Sequence, residues 1–394
     1  MPEQAAPGAE APSNRILGLT RLLERVDARL ARVFVPWAIR HPRHFRAFMR
    51  LARAYERSQA VRAQTLEDGV SVPPFLVLSV TSRCNLQCAG CFARAIGTTG
   101  GPPPARPPLG LGGWHAVVEE SAALGVIGFV IAGGEPFMLP GIASLFQRFS
   151  DRLFVVFTNG TALRDGDLEI LRDCPNTVVV VSIEGDRVLT DGRRGTGVFD
   201  SALGCLDRLR AAGILTGLSV TIGSANIDYW SQAGNIDALL ARTGPLAFFL
   251  EEVKAGECEA GAATTPEQRS RFRETVVRYR NRRSGAAYIV HSPADEDVFG
   301  GCVSAGRGFA HVNPSGDVTA CPMSALATHN VSTSTLYQAF ASPLFTMIRD
   351  SGHLFETSDH PCGLFANAGK LESMAKSLGA YRTGPADSVA LGAR

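Results

Sequence analysis

From Phe75 onward, short apolar runs alternate with stretches in which apolar residues recur every three or four positions. That is the sequence form of strands alternating with amphipathic helices. The runs predict strands at about 75–80, 127–132, 153–158, 177–183, 216–222 and 246–253. Helical spacing predicts helices at about 112–124, 139–150, 164–173, 198–212, 227–242 and 265–283. Strands joined through helices pair parallel, so residues 75–284 are expected to form an α/β unit, a parallel sheet curled into part of a barrel. The segment Gly97 to Gly113 breaks the alternation, because its Gly and Pro disfavour both helix and strand. It follows the loop after the first strand and reads as a flap over the strand ends or as a linker.

Outside this segment the pattern changes. Residues 1–13 show no periodicity and are expected to be disordered. In residues 14–74, Leu19, Leu22, Leu23, Val26, Leu30, Val33 and Phe34 fall at helical spacing, and a second helix is expected from about Phe45 to Gln64. Arginines far outnumber acids there, so the pair reads either as a basic amphipathic surface for an anionic membrane or acidic partner, or as a helical cap on the barrel with solvated arginines. The cap is the simpler of the two. After residue 284, Tyr288 to His291 and Phe309 to Asn313 read as short strands, and Pro314-Ser315-Gly316-Asp317 is a turn leading into 318–320. With a helix at about 336–349, residues 285–382 form a smaller α+β unit, and 383–394 read as a loose tail.

At 394 residues and a net charge of +2, the chain is long enough for a large core, and its charge points to no nucleic acid. No apolar run reaches the roughly 18 residues that a membrane span needs. Nine cysteines without a secretory signal suggest ligand chemistry in a reducing cytoplasm, with the basic helices allowing a peripheral membrane location.

Three of those cysteines stand together. Cys84, Cys88 and Cys91 lie in the loop just past the first strand, the end at which parallel α/β folds place their chemistry. Three thiolates so spaced can converge on a soft metal centre, one ligand short of a closed zinc site or a fully ligated iron–sulfur cube. The plain alternative is three incidental cysteines. At the end of the second strand, Gly133 and Gly134 allow close approach to the backbone, and the Glu135 carboxylate beside them can accept hydrogen bonds from an ammonium group. Asn159 ends the third strand, Ser182 and Glu184 the fourth, and Arg193-Arg194-Gly195 follows.

The Cys84-xxx-Cys88-xx-Cys91-Phe92 run, with Gly133-Gly134-Glu135-Pro136 after the next strand, resembles the radical SAM superfamily. The resemblance implies a partial (β/α)6 TIM-like barrel whose three cysteines hold a [4Fe-4S] cluster with S-adenosylmethionine (SAM) on the open iron. It further implies that Glu135 and its glycines receive the SAM amino group, Ser182 and Glu184 the ribose, and Arg194 the carboxylate, with Phe92 and Asn159 also at the cofactor. Reductive cleavage of SAM then gives a 5′-deoxyadenosyl radical that abstracts a substrate hydrogen. Farther on, Cys302, Gly316 and Cys321-Pro322 resemble the opening of the SPASM and twitch domains, with Cys362 as the one later cysteine. This implies one auxiliary iron–sulfur cluster, [4Fe-4S] in type, on Cys302, Cys321 and Cys362; a structural zinc site is the alternative.

Cys174 ends a predicted helix before Pro175 and Cys205 lies within another, and both read as small buried hydrophobes. Cys258, in the polar loop after the sixth strand, is a candidate hydrogen-atom donor to a substrate radical, a fourth auxiliary ligand, or an idle cysteine. The first role would make the enzyme an epimerase and the second an oxidoreductase. The arginine-rich helices do not resemble a strand-rich peptide-binding module, which favours a non-peptide substrate such as a sugar- or lipid-linked metabolite, with peptide maturation as the alternative. A flavodoxin- or ferredoxin-type electron donor is implied. An iron–sulfur carrier or sensor is the non-enzymatic reading, and it would not need the SAM-type strand ends.

Overall fold

A computed structural model describes residues 39, 42–100, 106–243, 246–251, 264–282, 288–299, 301–351 and 362–383. Cys258, the first basic helix and both chain ends lie outside the described residues. Strands β1 (Phe75–Ser79), β2 (Gly128–Ala132), β3 (Leu153–Thr158), β4 (Thr177–Ser182), β5 (Leu215–Ile222) and β6 (Leu246–Glu251) fall where the apolar runs put them. Each pairs parallel with the next, from Phe75 opposite Gly128 through to Leu246 opposite Gly217. The expected partial barrel is therefore present.

Alternation gives each strand two uses. Leu76, Leu78, Phe129, Ile131, Val179, Val181, Leu218 and Val220 face outward into the main core, where Trp114 and Phe146 from the covering helices are fully buried. Val178, Val180, Leu215 and Leu246 pack on the inner face with Val155, Phe157 and Phe248. Toward the C-terminal ends the inner face turns polar at Ser79, Ser182 and Ser219.

The short strands expected after residue 284 join the same sheet. Strand β7 (Tyr288–Ser292) pairs parallel with β6 and continues the sheet beyond residue 284. Strand β8 (Phe309–Val312) pairs parallel with β1 on its other edge, and β9 (Asp317–Thr319), β10 (Leu326–Asn330) and β11 (Tyr381–Arg382) follow antiparallel. One eleven-stranded sheet thus carries both cysteine groups. Short runs such as 326–330 gave no period long enough to read. Two expected helices are broken: one divides into Ile227–Trp230 and Ala233–Thr243, the other into Leu336–Phe340 and Pro343–Asp350. In the second, Ser342 caps the Phe345 N–H and Pro343 starts the new turn. A further helix, Arg187–Arg194, lies where no helix was expected, started by Asp186 accepting from Leu189 N–H. The helix Leu111–Ala123 begins inside the expected Gly/Pro insert, at whose N-terminal turn Gly112 and Gly113 are tolerated.

The helix Pro42–Glu67 lies against the opposite end of the strands from the cysteine loop. His44 bonds the Gly213 carbonyl, Arg62 the Gly125 carbonyl and Arg50 the Ser150 hydroxyl, all just ahead of β5, β2 and β3. Its Ala47, Ala54 and Ser58 are buried while Arg46, Arg53 and Arg57 face solvent, which supports the cap over the membrane surface for this helix. Among the described residues no helix is long and apolar enough to cross a membrane.

His311 on β8 joins the barrel to the added strands. Its Nε2 lies 2.9 Å from Ser79 Oγ and its Nδ1 2.8 Å from Thr319 Oγ1. Complete burial pushes its pKa down from 6.5 to about 3, so the folded protein keeps it neutral. Between those values the unfolded chain binds a proton that the folded chain refuses, so stability falls as pH drops below 6.5. Urea unfolding of the apoprotein should show this group costing about 2 kcal/mol between pH 6.5 and pH 5. His311→Gln should remove that part of the acid slope; an unchanged slope would contradict the assignment.

Candidate active site

The loop after β1 carries Cys84, Cys88 and Cys91, and its shape is set by the neighbouring loop after β2. Val80 N–H donates to Ala132 C=O (2.9 Å), Gly134 N–H to Thr81 C=O (2.7 Å) and Glu135 N–H to Arg83 C=O (2.8 Å), so the parallel pairing runs on past the strands. A Cβ on Gly134 would lie 2.1 Å from the Arg83 carbonyl oxygen, and Gly133 has φ +124°, where a Cβ would lie 2.6 Å from the Thr81 carbonyl oxygen. Only glycine permits this approach. It brings Glu135 against the cysteine loop.

The Glu135 side chain is 1% exposed. Its Oε1 accepts from Thr158 Oγ1 (2.7 Å) and from Phe137 N–H (3.2 Å), and its Oε2 from Asn159 N–H (2.7 Å). Burial raises its pKa, against those three bonds and the nearby Arg194 charge. Of four lone-pair positions, three are used, leaving one on Oε2 for an incoming donor. Asn159 also ties the cysteine loop: its Nδ2 donates to Asn85 Oδ1 (2.9 Å), and Asn85 donates to Thr161 Oγ1 (2.7 Å).

On the other flank, the helix Arg187–Arg194 grips the same loop. Ala89 N–H donates to Arg193 C=O (2.9 Å), and the Arg193 guanidinium donates to Gly90 C=O (3.1 Å). Arg194 forms a 2.5 Å ion pair with Glu184, whose other oxygen accepts from Thr221 N–H (3.0 Å). Two residues assigned separately to the SAM carboxylate and ribose thus meet each other here, with Arg193 3.5 Å from the same carboxylate. Ser182 Oγ lies 2.8 Å from Ser219 Oγ at the adjoining strand end. Phe92 is partly exposed and opens the short helix Phe92–Ala95 directly after Cys91.

The three thiols are close enough to act on one another electrostatically. Burial raises the Cys84 pKa, its neighbours Glu135 and Cys91 adding to the shift, and burial raises Cys88 against the pull of Arg194 and Arg193. A metal centre would reverse this by supplying positive charge. Among the described residues no three His, Cys, Asp or Glu converge tightly enough for a single ion. A cube takes one thiolate per iron and asks for a wider triangle, which a loop of exposed and half-buried cysteines can offer.

The second group sits at the base of the β8–β9 hairpin. Its turn has Gly316 at φ +85°, and Ala305 N–H donates to Ala320 C=O (3.0 Å), which draws Cys302 and Cys321 together. Both are buried, and burial drives both pKa values far up; Cys362 acts on each of them, as does Glu296. Met323 N–H points at Cys321 Sγ (3.4 Å) and the Cys302 thiol at Ser304 Oγ (3.2 Å). Buried thiols with amide donors on sulfur fit an iron–sulfur cluster. Cys174 and Cys205 are buried in the core as expected, their pKa values pushed up to about 12.

Residues 78–232 match the family described as the Radical SAM superfamily. The chain contains a radical SAM domain. The cofactors of that domain are the expected [4Fe-4S] cluster and SAM. Over 181 residues the chain is 32% identical to the sporulation killing factor maturation protein SkfB of Bacillus subtilis, covering 44% of this chain and 42% of that one. The chain therefore spans less than half the length of that relative. It is 25% identical over 267 residues to the mycofactocin maturase MftC of Mycobacterium tuberculosis, covering 66% and 67%. Its fold resembles that of Streptococcus suis SuiB, solved with SAM and with the precursor peptide SuiA, at TM-scores of 0.60. In the SuiA complex the likeness has 17% identity and covers 74% of this chain and 70% of SuiB. Other matching relatives are described as Fe-coproporphyrin III synthase of Methanosarcina barkeri and GTP 3′,8-cyclase of Ectopseudomonas mendocina.

The structure brings Glu135, Asn159, Glu184 and Arg194 beside the cysteine loop, and sequence reasoning did not single out Arg193 and Asn85, which also touch it, or Glu296 near the second group. The doubled arginine was a visible signal for Arg193; nothing marked the other two.

Gly134→Ala is expected to push the two loops apart, so that the reconstituted variant loses most of its iron while remaining folded by circular dichroism; full iron would contradict the ladder. Glu135→Gln should weaken SAM binding by about tenfold or more, roughly 1.4 kcal/mol in calorimetry, because the remaining lone pair loses its charge.

Proposed function

We propose that this protein is a radical SAM peptide maturase that forms an oxidative crosslink or thioether in a precursor peptide. The observation that carries the reading is structural. The hairpin bearing the second cysteine group is hydrogen-bonded to β1, so one sheet fixes both groups, the first past the end at which β1 finishes and the second at the base of the hairpin, where β8 begins. A core likeness to proteins described as maturases, and a fold likeness to SuiB with its precursor peptide, support a peptide over the sugar- or lipid-linked metabolite that the basic helices suggested. The objection from those helices weakens because Pro42–Glu67 is occupied at the far end of the barrel.

In this proposal Cys84, Cys88 and Cys91 hold the [4Fe-4S] cluster that binds SAM, and Cys302, Cys321 and Cys362 hold an auxiliary cluster. Bound there, they supply a hydrogen-abstracting radical and an electron sink. The chain's own residues position and shield. Glu135 offers its free lone pair to the SAM ammonium group, and Gly133 and Gly134 keep that group against the backbone. Arg194, paired with Glu184, would hold the SAM carboxylate, and Glu184 and Ser182 would hold the ribose. Phe92 and Asn159 border the same space. Arg193 acts as a positioning residue through Gly90. The reductant is a flavodoxin- or ferredoxin-type donor.

Anaerobically reconstituted protein with dithionite is expected to convert SAM to 5′-deoxyadenosine. Offered a panel of synthetic precursor peptides and a panel of sugar-containing metabolites in D2O, it should yield a peptide two hydrogens lighter with no deuterium gained. Deuterium gain at a single carbon would replace oxidation by epimerisation. Turnover of a metabolite with every peptide untouched would sink the peptide reading.

A further inference from the structure

A cavity of about 190 Å³ lies between the cysteine loop and the β8–β9 hairpin. One wall comes from both flanks of the cysteine loop: Ser82, two residues before Cys84, and Ile96 to Thr98, just past the short helix that follows Cys91. The facing wall holds His311, Thr319 and Ser324, the last two on either side of Cys321. A group seated here lies between the two cysteine sets.

The cavity's chemistry is one-sided. Among the described residues no Asp, Glu, Lys or Arg lines it, while Ser82, Thr98, Ser315, Thr319, Ser324 and Thr383 do. Its one titratable wall residue is locked. Thr319 donates its proton to Cys321 C=O (3.0 Å), so toward His311 it accepts, which places the ring proton on Nδ1. Nε2 is then the acceptor for Ser79 O–H, and both ring nitrogens are used internally. Complete burial keeps the ring neutral, with a pKa of about 3. Asn313 is largely engaged: Oδ1 accepts from Ser315 and Asp317 N–H, and one Nδ2 hydrogen is donated to Asp317. Asp317 itself faces away, its carboxylate shared by Arg106, Tyr381 and Asn330. Nothing in this wall can neutralise a charge brought into the cavity, and an unpaired buried charge is costly.

We propose that this cavity is a substrate subsite that takes one uncharged, hydrogen-bonding side chain, of the Ser, Thr, Asn or Gln kind, and rejects acidic and basic ones. The assignment rests on the peptide reading above. The hydroxyls of Ser82, Thr98 and Ser324 are the groups that meet such a side chain, while His311 and Asn313 form a fixed neutral floor.

The test uses the full chain, anaerobically reconstituted with SAM, and three probes: the N-acetyl methylamides of serine, aspartate and lysine, with methyl glucoside as a fourth. In saturation-transfer NMR the serine probe should bind at least about tenfold more tightly than the charged ones. Ala325→Leu and, separately, Thr98→Phe fill the cavity from opposite walls and should abolish the serine signal while substrate-free 5′-deoxyadenosine release continues. Equal binding of all three amides, or a serine signal that survives both substitutions, would overturn the subsite and leave the peptide reading standing. Binding of methyl glucoside with none of the amides would overturn the peptide reading, and this assignment with it.

Discussion

Two rungs of backbone hydrogen bonding, Gly134 N–H to Thr81 C=O and Glu135 N–H to Arg83 C=O, hold the loop after β2 against the loop after β1. Each is worth only about 1 kcal/mol in net stability. Their weight is geometric, because the contact has no room for a Cβ and fixes where Glu135 stands relative to Cys84, Cys88 and Cys91. Asn159 and Arg193 then fasten the same cysteine loop from two further sides, to Asn85 and to Ala89 and Gly90. A loop that must present three thiols at fixed spacing is thus held by neighbours on three strands' ends rather than by its own sequence.

The same strand carries the second constraint. Because β1 pairs with β2 on one edge and β8 on the other, any group organised by the β8–β9 hairpin is placed relative to the barrel mouth by sheet geometry. The buried line Ser79–His311–Thr319–Cys321 is the side-chain counterpart of that pairing. It connects the strand before one cysteine group to a member of the other through neutral, fully bonded groups. A charged residue at position 311 would need a partner that this interior does not hold.

Most of the barrel was legible because its strands are continuous apolar runs such as Val178 to Val181, buried on both faces, and its helices carry a clear period. The SAM-type strand ends were legible as ordered motifs. What escaped had a different physical origin. Strand β7 looked like the start of a new unit because its membership is decided by pairing with β6, which no local pattern encodes. Strands β10 and β11 are too short to show a period. The helix Arg187–Arg194 is polar almost throughout, with Thr190 its one buried residue, and is held by its Asp186 cap and by the loop it grips. The meeting of Arg194 with Glu184 depends on that helix turning back, so two residues read as separate SAM contacts are neighbours in the fold.

The central claim is that two cysteine groups each hold an iron–sulfur cluster, and that SAM binds at the cluster on Cys84, Cys88 and Cys91. Iron quantification with electron paramagnetic resonance of the reduced protein, with and without SAM, tests it most directly. The account predicts about 8 irons per chain, one of two signals shifting on SAM addition, and loss of that signal with about 4 irons remaining when Cys84, Cys88 and Cys91 are replaced by Ala. About 4 irons in the unsubstituted protein, or a spectrum indifferent to SAM, would contradict it.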